Sequence, residues 1–503
     1  MRQIGTFPQN AVSITAPHTS IGRWTFVSIL MLAAVLGICL PGLQLGFGSH
    51  GDSRAVFEAS VAAILNGHYA PSRSYGVPLY EFVAAALQPL GGTLLVNVYS
   101  LVLSLFAIVV FAHLLASAAS PAKSSAAPWA LAGFALNPLF LINASSPTEW
   151  AQANLFLVCA LSCVVLWLRT QRLAPLAAYS VCICGLVLSR PDFAVVCVAI
   201  GVAILWELKL ARFASLLFIA STVAAAVVTL SIYMLLNGGP GFFLRTGEMV
   251  GDQIGVRRTI VALVGIVDVF GIAGCIALIV AFGGILMKRR AGADLTFYEK
   301  LTALIWPIML VRFAMLPDKL EYVFPLIPIT LLAVASRRQS TMITAVVAGS
   351  LILNSVVAVS FFERSDVSDT LTFSVRLNKG AVLQDWDARN AQSRALDPAF
   401  AARLAAAVDG ESGAASTHLY LKNFYPGFTD DQDNLVLSKE QYYKLNNPRF
   451  TDPRYARKNY GRVYVCDGAF ISDNIGWRVL QPPPVYASFD AGGGSKSVQC
   501  RPE

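Results

Sequence analysis

The sequence predicts an all-α polytopic membrane protein of about eleven transmembrane helices, followed by a small C-terminal α/β domain, and three observations predict it. The chain is 55% hydrophobic and only 14% charged, with a mean hydropathy of +0.59; soluble domains carry about 25% charged residues. Residues 1–361 are rich in apolar runs of about the 17–25 residues that cross a hydrocarbon core. The basic residues gather in alternate loops, as they do on the cytoplasmic side of a membrane. A net charge of +8 is thereby explained without a nucleic-acid partner, and none is expected.

The apolar runs fall at 24–45, 93–118, 127–144, 148–168, 173–189, 192–208, 213–236, 259–286, 299–316, 320–336 and 341–361. The first exceeds a signal-peptide core of about 7–15 residues, so a retained helix is expected. With the N-terminus cytoplasmic, the inner loops hold Lys123, then Arg169 and Arg172, then Lys209 and Arg212, then Lys288, Arg289, Arg290 and Lys300, then Arg337 and Arg338. The other side holds Asp52, Glu58, Glu81, Glu149, Asp192, Glu248, Asp252, Asp318 and Glu321. That asymmetry predicts an odd number of spans in the cell (inner) membrane and a C-terminal domain, 362–503, in the periplasm or outside the cell.

The tail has a helix-like stretch at 397–408 and strand-like runs at 417–421 and 462–466. Seven of the nine cysteines lie in apolar runs and read as small hydrophobes. Only Cys466 and Cys500 lie in polar sequence; whether they form a disulfide is left open by the sequence. No internal repeat is visible, which argues against a transporter built from duplicated halves.

The first outer loop, 48–92, carries the strongest functional signal. Phe57, Val61, Ile64 and Leu65 share one helical face, so 53–66 reads as a weakly amphipathic helix on the membrane surface. Asn66-Gly67 suits its C-terminal cap. A second short helix, 78–90, runs toward the next span.

Here the chain resembles the C-type membrane glycosyltransferases, such as protein mannosyltransferases and the aminoarabinose transferases of lipid A. The resemblance rests on Asp52 just after the first span, the juxtamembrane helix, and Gly67-His68-Tyr69 followed by Ser72-Arg73-Ser74-Tyr75-Gly76-Val77-Pro78-Leu79-Tyr80-Glu81. Weaker echoes are Asn137-Pro138 with Ser146-Pro147-Thr148-Glu149, Ser189-Arg190-Pro191-Asp192, and the stretch from Glu321 to Pro328. It implies a polyprenyl-phosphate sugar as donor, an extracytoplasmic acceptor, membrane lipids around the site, and inversion with a carboxylate as base. A divalent cation is the one cofactor it leaves open. Among the residues, Asp430, Asp431 and Asp433 lack the later glycine and glutamate of a calcium loop, and no metal ligand set is read.

Sugar transfer needs a base for the acceptor hydroxyl and a cation for the leaving phosphate. Asp52 is the expected base; its local alternative is a helix N-cap. Glu149 is the second acid, although Ser146-Pro147-Thr148-Glu149 also reads as a capping box. Arg73 is the first phosphate candidate, with pairing to Glu81 as the ordinary alternative. Arg190 and Lys319 are further candidates, and Arg190 could equally complement a helix end. Arg312 lies inside an apolar run, where charge is costly and usually functional. Arg257 and Arg258 stand on the expected outer side and, with Arg245 in the glycine-rich loop 237–258, could cover a lipid phosphate; the favoured alternative is a disordered or headgroup-binding loop. Tyr69, Tyr75, Tyr80 and Trp150 could stack on sugar, although for any one of them the position of an interface aromatic is the preferred reading.

Two rival classes remain: a transporter or lipid flippase, with charge at mid-membrane, and a non-catalytic envelope assembly protein.

Overall fold

The computed structural model describes residues 21–44, 56, 59, 69, 71–72, 76–118, 125–208, 212–239, 256–315, 320–336, 341–364, 371–383, 385–386, 417–420, 462–466, 487–489 and 498–502. The chain divides into two compact units, Met1–Leu40 with Val56–Ser355, and Pro41–Ala55 with Val356–Glu503.

The first unit is helical: α1 (Ile21–Cys39), α2 (Pro78–Ala118), α3 (Ala126–Ala135), α4 (Pro138–Ala144), α5 (Trp150–Thr170), α6 (Leu173–Ser189), α7 (Ala194–Leu208), α8 (Arg212–Leu236), α9 (Val256–Arg290), α10 (Phe297–Met315), α11 (Leu326–Ala335) and α12 (Thr341–Val356). Among the described residues, six helical segments are long and apolar enough to cross a membrane, and the α3–α4 pair, bent by 49°, adds a seventh if it is counted as one span. This is a multi-pass membrane protein. The remaining expected spans are apolar helices of lesser length, α6, the stretch Leu320–Ala335 and α12, together with α10, which carries Glu299, Lys300 and Arg312.

Breaks in these helices fall where the backbone chemistry demands. Helix α2 is interrupted at Gly91 and Gly92, the latter at φ +57°, so 78–90 and the following span are separate rods, as expected. The fold back is tight enough for the hydroxyls of Tyr80 and Ser100 to lie 3.1 Å apart. Between α3 and α4, Asn137 caps the new helix by accepting from Phe140 N at 2.9 Å. Ser355 donates to the Leu136 carbonyl at 2.7 Å. Such side-chain donors replace water where a helix breaks inside lipid.

A third break was not foreseen. Gly271 in α9 adopts φ +67°, and a Cβ there would stand 2.2 Å from Ser350 Oγ. Asn354 Nδ2 donates to the carbonyls of Asp268 and Val269 at 3.0 and 2.9 Å, which the break frees from the helical ladder. Asp268 is therefore an acidic group within the expected span 259–286.

Packing centres on α11, every residue of which is buried; a helix apolar on all sides is wrapped by others. Helices α5 and α6 form an antiparallel pair through the left-handed Gln171 (φ 52°). Gly133 of α3 lets α12 approach so closely that an added Cβ would meet Ala348 Cβ at 2.8 Å and its Cα at 2.9 Å. Small residues serve this purpose in membrane bundles. Gly133→Leu is expected to cost about 1–3 kcal/mol through overpacking, read as a lower melting temperature in detergent. Gly349→Leu, where nothing lies within 4 Å of the added Cβ, is the control expected to melt as the wild type.

At one end of α10, Lys288 pairs with Glu299 at 2.8 Å and Lys300 with Glu207 at 2.5 Å. Glu299 also accepts from Thr296 N at 2.8 Å while its own N–H donates to Thr296 Oγ1 at 3.3 Å, a reciprocal cap. These groups belong to the loops read as cytoplasmic.

In the second unit, the apolar run 341–361 does not remain helical to its end. Helix gives way at Val357 to β1 (Val357–Arg364), which pairs antiparallel with β2 (Leu371–Lys379). Val-Ala-Val-Ser-Phe-Phe is β-branched and aromatic, and an apolar run of that kind suits either state. Further strands are β3 (Thr417–Tyr420), β4 (Arg462–Cys466), β5 (Ala487–Phe489) and β6 (Val498–Pro502), in the order β3-β4-β6-β5. The register sets the Cα of Cys466 opposite that of Cys500. The helix-like stretch 397–408 and the acidic turn at 430–433 lie outside the described residues.

Candidate functional site

Five segments of the helical unit meet at the end of α10 opposite the Lys–Glu network: the starts of α2 and α5, the end of α6, the end of α10, and the 3-10 turn Leu320–Val323. At 1.5 Å rise per residue, Arg312 stands about 18 Å along α10 from Lys300.

The helix α5 begins later than its capping-box sequence predicts. Glu149 is its N-cap, but no side chain caps the helix. Thr148 Oγ1 instead donates to Asn143 Oδ1 at 2.9 Å, and Ser146 Oγ donates to the Ile142 carbonyl at the end of α4. The capping-box reading is thus corrected, and the Glu149 carboxylate is released for another role. Its Oε1 accepts from Arg190 Nη1.

Arg190 is the C-cap of α6, in extended conformation, where Pro191 prevents the helix from continuing. Its guanidinium does not turn back onto the helix end. It grips Asp192 with Nε at 3.0 Å and Nη2 at 3.1 Å, a forked pair, and reaches Glu149 with the remaining edge. The three side chains are 1%, 1% and 5% exposed for Arg190, Glu149 and Asp192. Two carboxylates around one guanidinium leave an excess of negative charge.

An aromatic floor supports this group. The Arg190 Cζ lies 3.9 Å from the Trp150 ring centroid and 5.4 Å from that of Tyr322, within cation–π range. Trp150 also meets Phe193 and Tyr322 edge-on, at 5.7 and 5.9 Å. Trp150 is buried, so the interface-anchor reading of this residue is corrected. Arg312 approaches the same floor, its Cζ 4.8 Å from the Tyr322 centroid. It is partly exposed, and among the described residues it has no carboxylate partner.

The second cluster belongs to the first expected outer loop. Buried Glu81 accepts from Tyr69 OH, from Ser72 N at 2.8 Å and from Val77 N at 3.0 Å. Burial first, and then the adjacent Glu81 carboxylate, push the Tyr69 hydroxyl well above the usual phenol range, so it stays a donor. Gly76 at φ +70° admits this closure, since its Cβ would fall 2.1 Å from Tyr69 OH. Tyr69 therefore ties the loop together. The neighbouring Tyr80 lies within electrostatic reach of Glu149, which joins the loop to the arginine cluster.

Asp52, Arg73, Tyr75, Arg245 and Lys319 lie outside the described residues. Arg257 and Arg258 are in the first turn of α9 by backbone, with side chains outside the described set. The structure thus brings together Glu149, Arg190 and Arg312 of the expected site, adds Asp192, Trp150 and Tyr322, and places Tyr69 in the adjoining loop. Among the described residues, no group of three or more His, Cys, Asp or Glu could hold a metal ion.

No family model matches this chain, and no curated protein or solved structure matches it.

Proposed function

We propose that the chain is a membrane glycosyltransferase that moves a sugar, with inversion, from a polyprenyl-phosphate carrier to an acceptor outside the cytoplasm. The observation that carries the reading is the buried Glu149–Arg190–Asp192 group on its aromatic floor, with Arg312 beside it. In this reading the chain spans the membrane about eleven times, the site faces the periplasm or cell exterior, and an α/β tail lies on the same side.

The acceptor oxygen attacks the anomeric carbon and its proton passes to a carboxylate. The bond from anomeric carbon to phosphate oxygen breaks, and the electron pair leaves with polyprenyl phosphate. Asp52 is the base on the strength of its sequence position and the resemblance. Arg190, already neutralised by two carboxylates, holds the site's shape, and Glu149 acts with it as the secondary acidic group. Arg312 holds the phosphate, since among the described residues its guanidinium has only an aromatic contact; Arg73, Lys319, Arg257 and Arg258 are the sequence's further cations for the same charge. Trp150 and Tyr322, both buried, back the two guanidinium groups and hold them in place.

A second reading, a transporter, is favoured by Asp268 beside the break at Gly271, because discontinuous helices with acids inside apolar spans mark ion pathways. Asp268→Asn separates the two. Sugar transfer reaches the wild-type level in the enzyme reading; a transporter loses most of its flux. The parent test compares envelope glycans and lipid-linked sugar pools with and without the protein. The acceptor is expected to lose its sugar while the carrier-linked sugar accumulates, and two unchanged pools would reject the proposal.

A further inference from the structure

We infer that Gln152 reads the hydroxyls of the transferred sugar, which deepens the proposed function and rests on it. Gln152 is 2% exposed, and its Oε1 has no hydrogen-bond partner. It follows Glu149 by three residues at the start of α5, and residues three apart are neighbours on a helix surface. Gln152 therefore shares a helix face with Glu149, the partner of Arg190. Asn154, also buried with an unpartnered oxygen, sits five residues from Glu149, about 140° round the helix, and belongs to another face.

A buried amide oxygen without a partner costs stability that a leucine would not. The two carboxylates of the cluster accept from Arg190 and, ionised, have no proton to give it. A ligand with a donor group would supply the bond. The unpartnered oxygen needs a donor. A phosphate dianion offers acceptors alone and leaves the oxygen unpaired. A sugar hydroxyl can donate. The chemistry at this position selects a polyhydroxyl group over the carrier's phosphate, and it places the sugar one turn into α5, on the face that carries Glu149.

The test uses the full-length protein in detergent and a polyprenyl-lipid extract from the cells' own membranes. Half of the extract is treated with mild acid, which releases sugars from their carrier phosphates. Wild-type protein is expected to gain more in melting temperature from intact extract than from treated extract, since a ligand stabilises the state it binds. Gln152→Leu is expected to melt at or above the wild-type temperature without lipid, and to respond equally to both halves. Gln152→Met, unbranched and of similar volume, replaces it if the leucine variant does not fold. A wild-type increment that survives in the variant overturns the role of Gln152 and leaves the glycosyltransferase reading standing. Absence of any sugar-dependent increment in the wild type overturns both.

Discussion

Arg190→Met is expected to destabilise the helical unit by about 3–5 kcal/mol, the cost of leaving a buried charge without its partner. Here the loss falls on two carboxylates at once, because Glu149 and Asp192 share the one guanidinium. The methionine preserves much of the stem's packing on Trp150, so the loss reports charge rather than volume. Arg190→Lys is expected to recover only part of it, since an ammonium cannot grip Asp192 with two parallel bonds while reaching Glu149. Adding Glu149→Gln and Asp192→Asn to Arg190→Met removes the stranded charges and should restore most of the stability. The measurement is unfolding of the purified protein in detergent micelles, followed by tryptophan fluorescence. Wild-type unfolding in Arg190→Met would show that the cluster is not a structural unit.

Asp52→Asn carries the largest expected effect on activity. A positioned general base contributes about 10²–10⁴-fold, so sugar transfer in membranes should fall by that order while protein level and melting temperature stay at wild-type values. The asparagine keeps the N-cap that the local sequence also suggests, and so separates proton transfer from capping. Glu58→Gln, more than one helical turn further on, is the control expected to transfer normally. Unchanged turnover in Asp52→Asn removes this residue from the mechanism and moves the search for the base to Glu149.

Much of the helical layout was legible because lipid imposes length and composition on each span. The break before the second span was readable from Pro89 and the Gly91-Gly92 pair. The break at Gly271 was not, since one glycine in a long apolar run gives no local sign, and its partner Asn354 is distant in sequence. The end of the last helix was misjudged because Val357–Arg364 is apolar enough for either state.

At the candidate site, the individual residues were legible and their pairing was not. Glu149 was visible two residues after a proline and Arg190 directly before one, but 41 positions separate them. Local rules therefore assigned each to its own helix end. The signal that could have joined them is electrostatic: two acids and one arginine at the ends of adjacent antiparallel spans cannot remain apart in a low-dielectric setting. Trp150 was similarly read from composition as an interface residue, whereas its ring is committed to Arg190. Gln152 escaped notice because an amide near a helix start is ordinary until its burial is known.

The central claim is tested most directly by a pulse-chase in isolated membranes. Labelled sugar is first loaded onto the endogenous polyprenyl phosphate, and its departure from the lipid fraction is then followed with and without this protein. The account predicts that the protein drives label from carrier to acceptor and that Asp52→Asn membranes behave nearly as those lacking it. Label that leaves the carrier at one rate in all three preparations would contradict it.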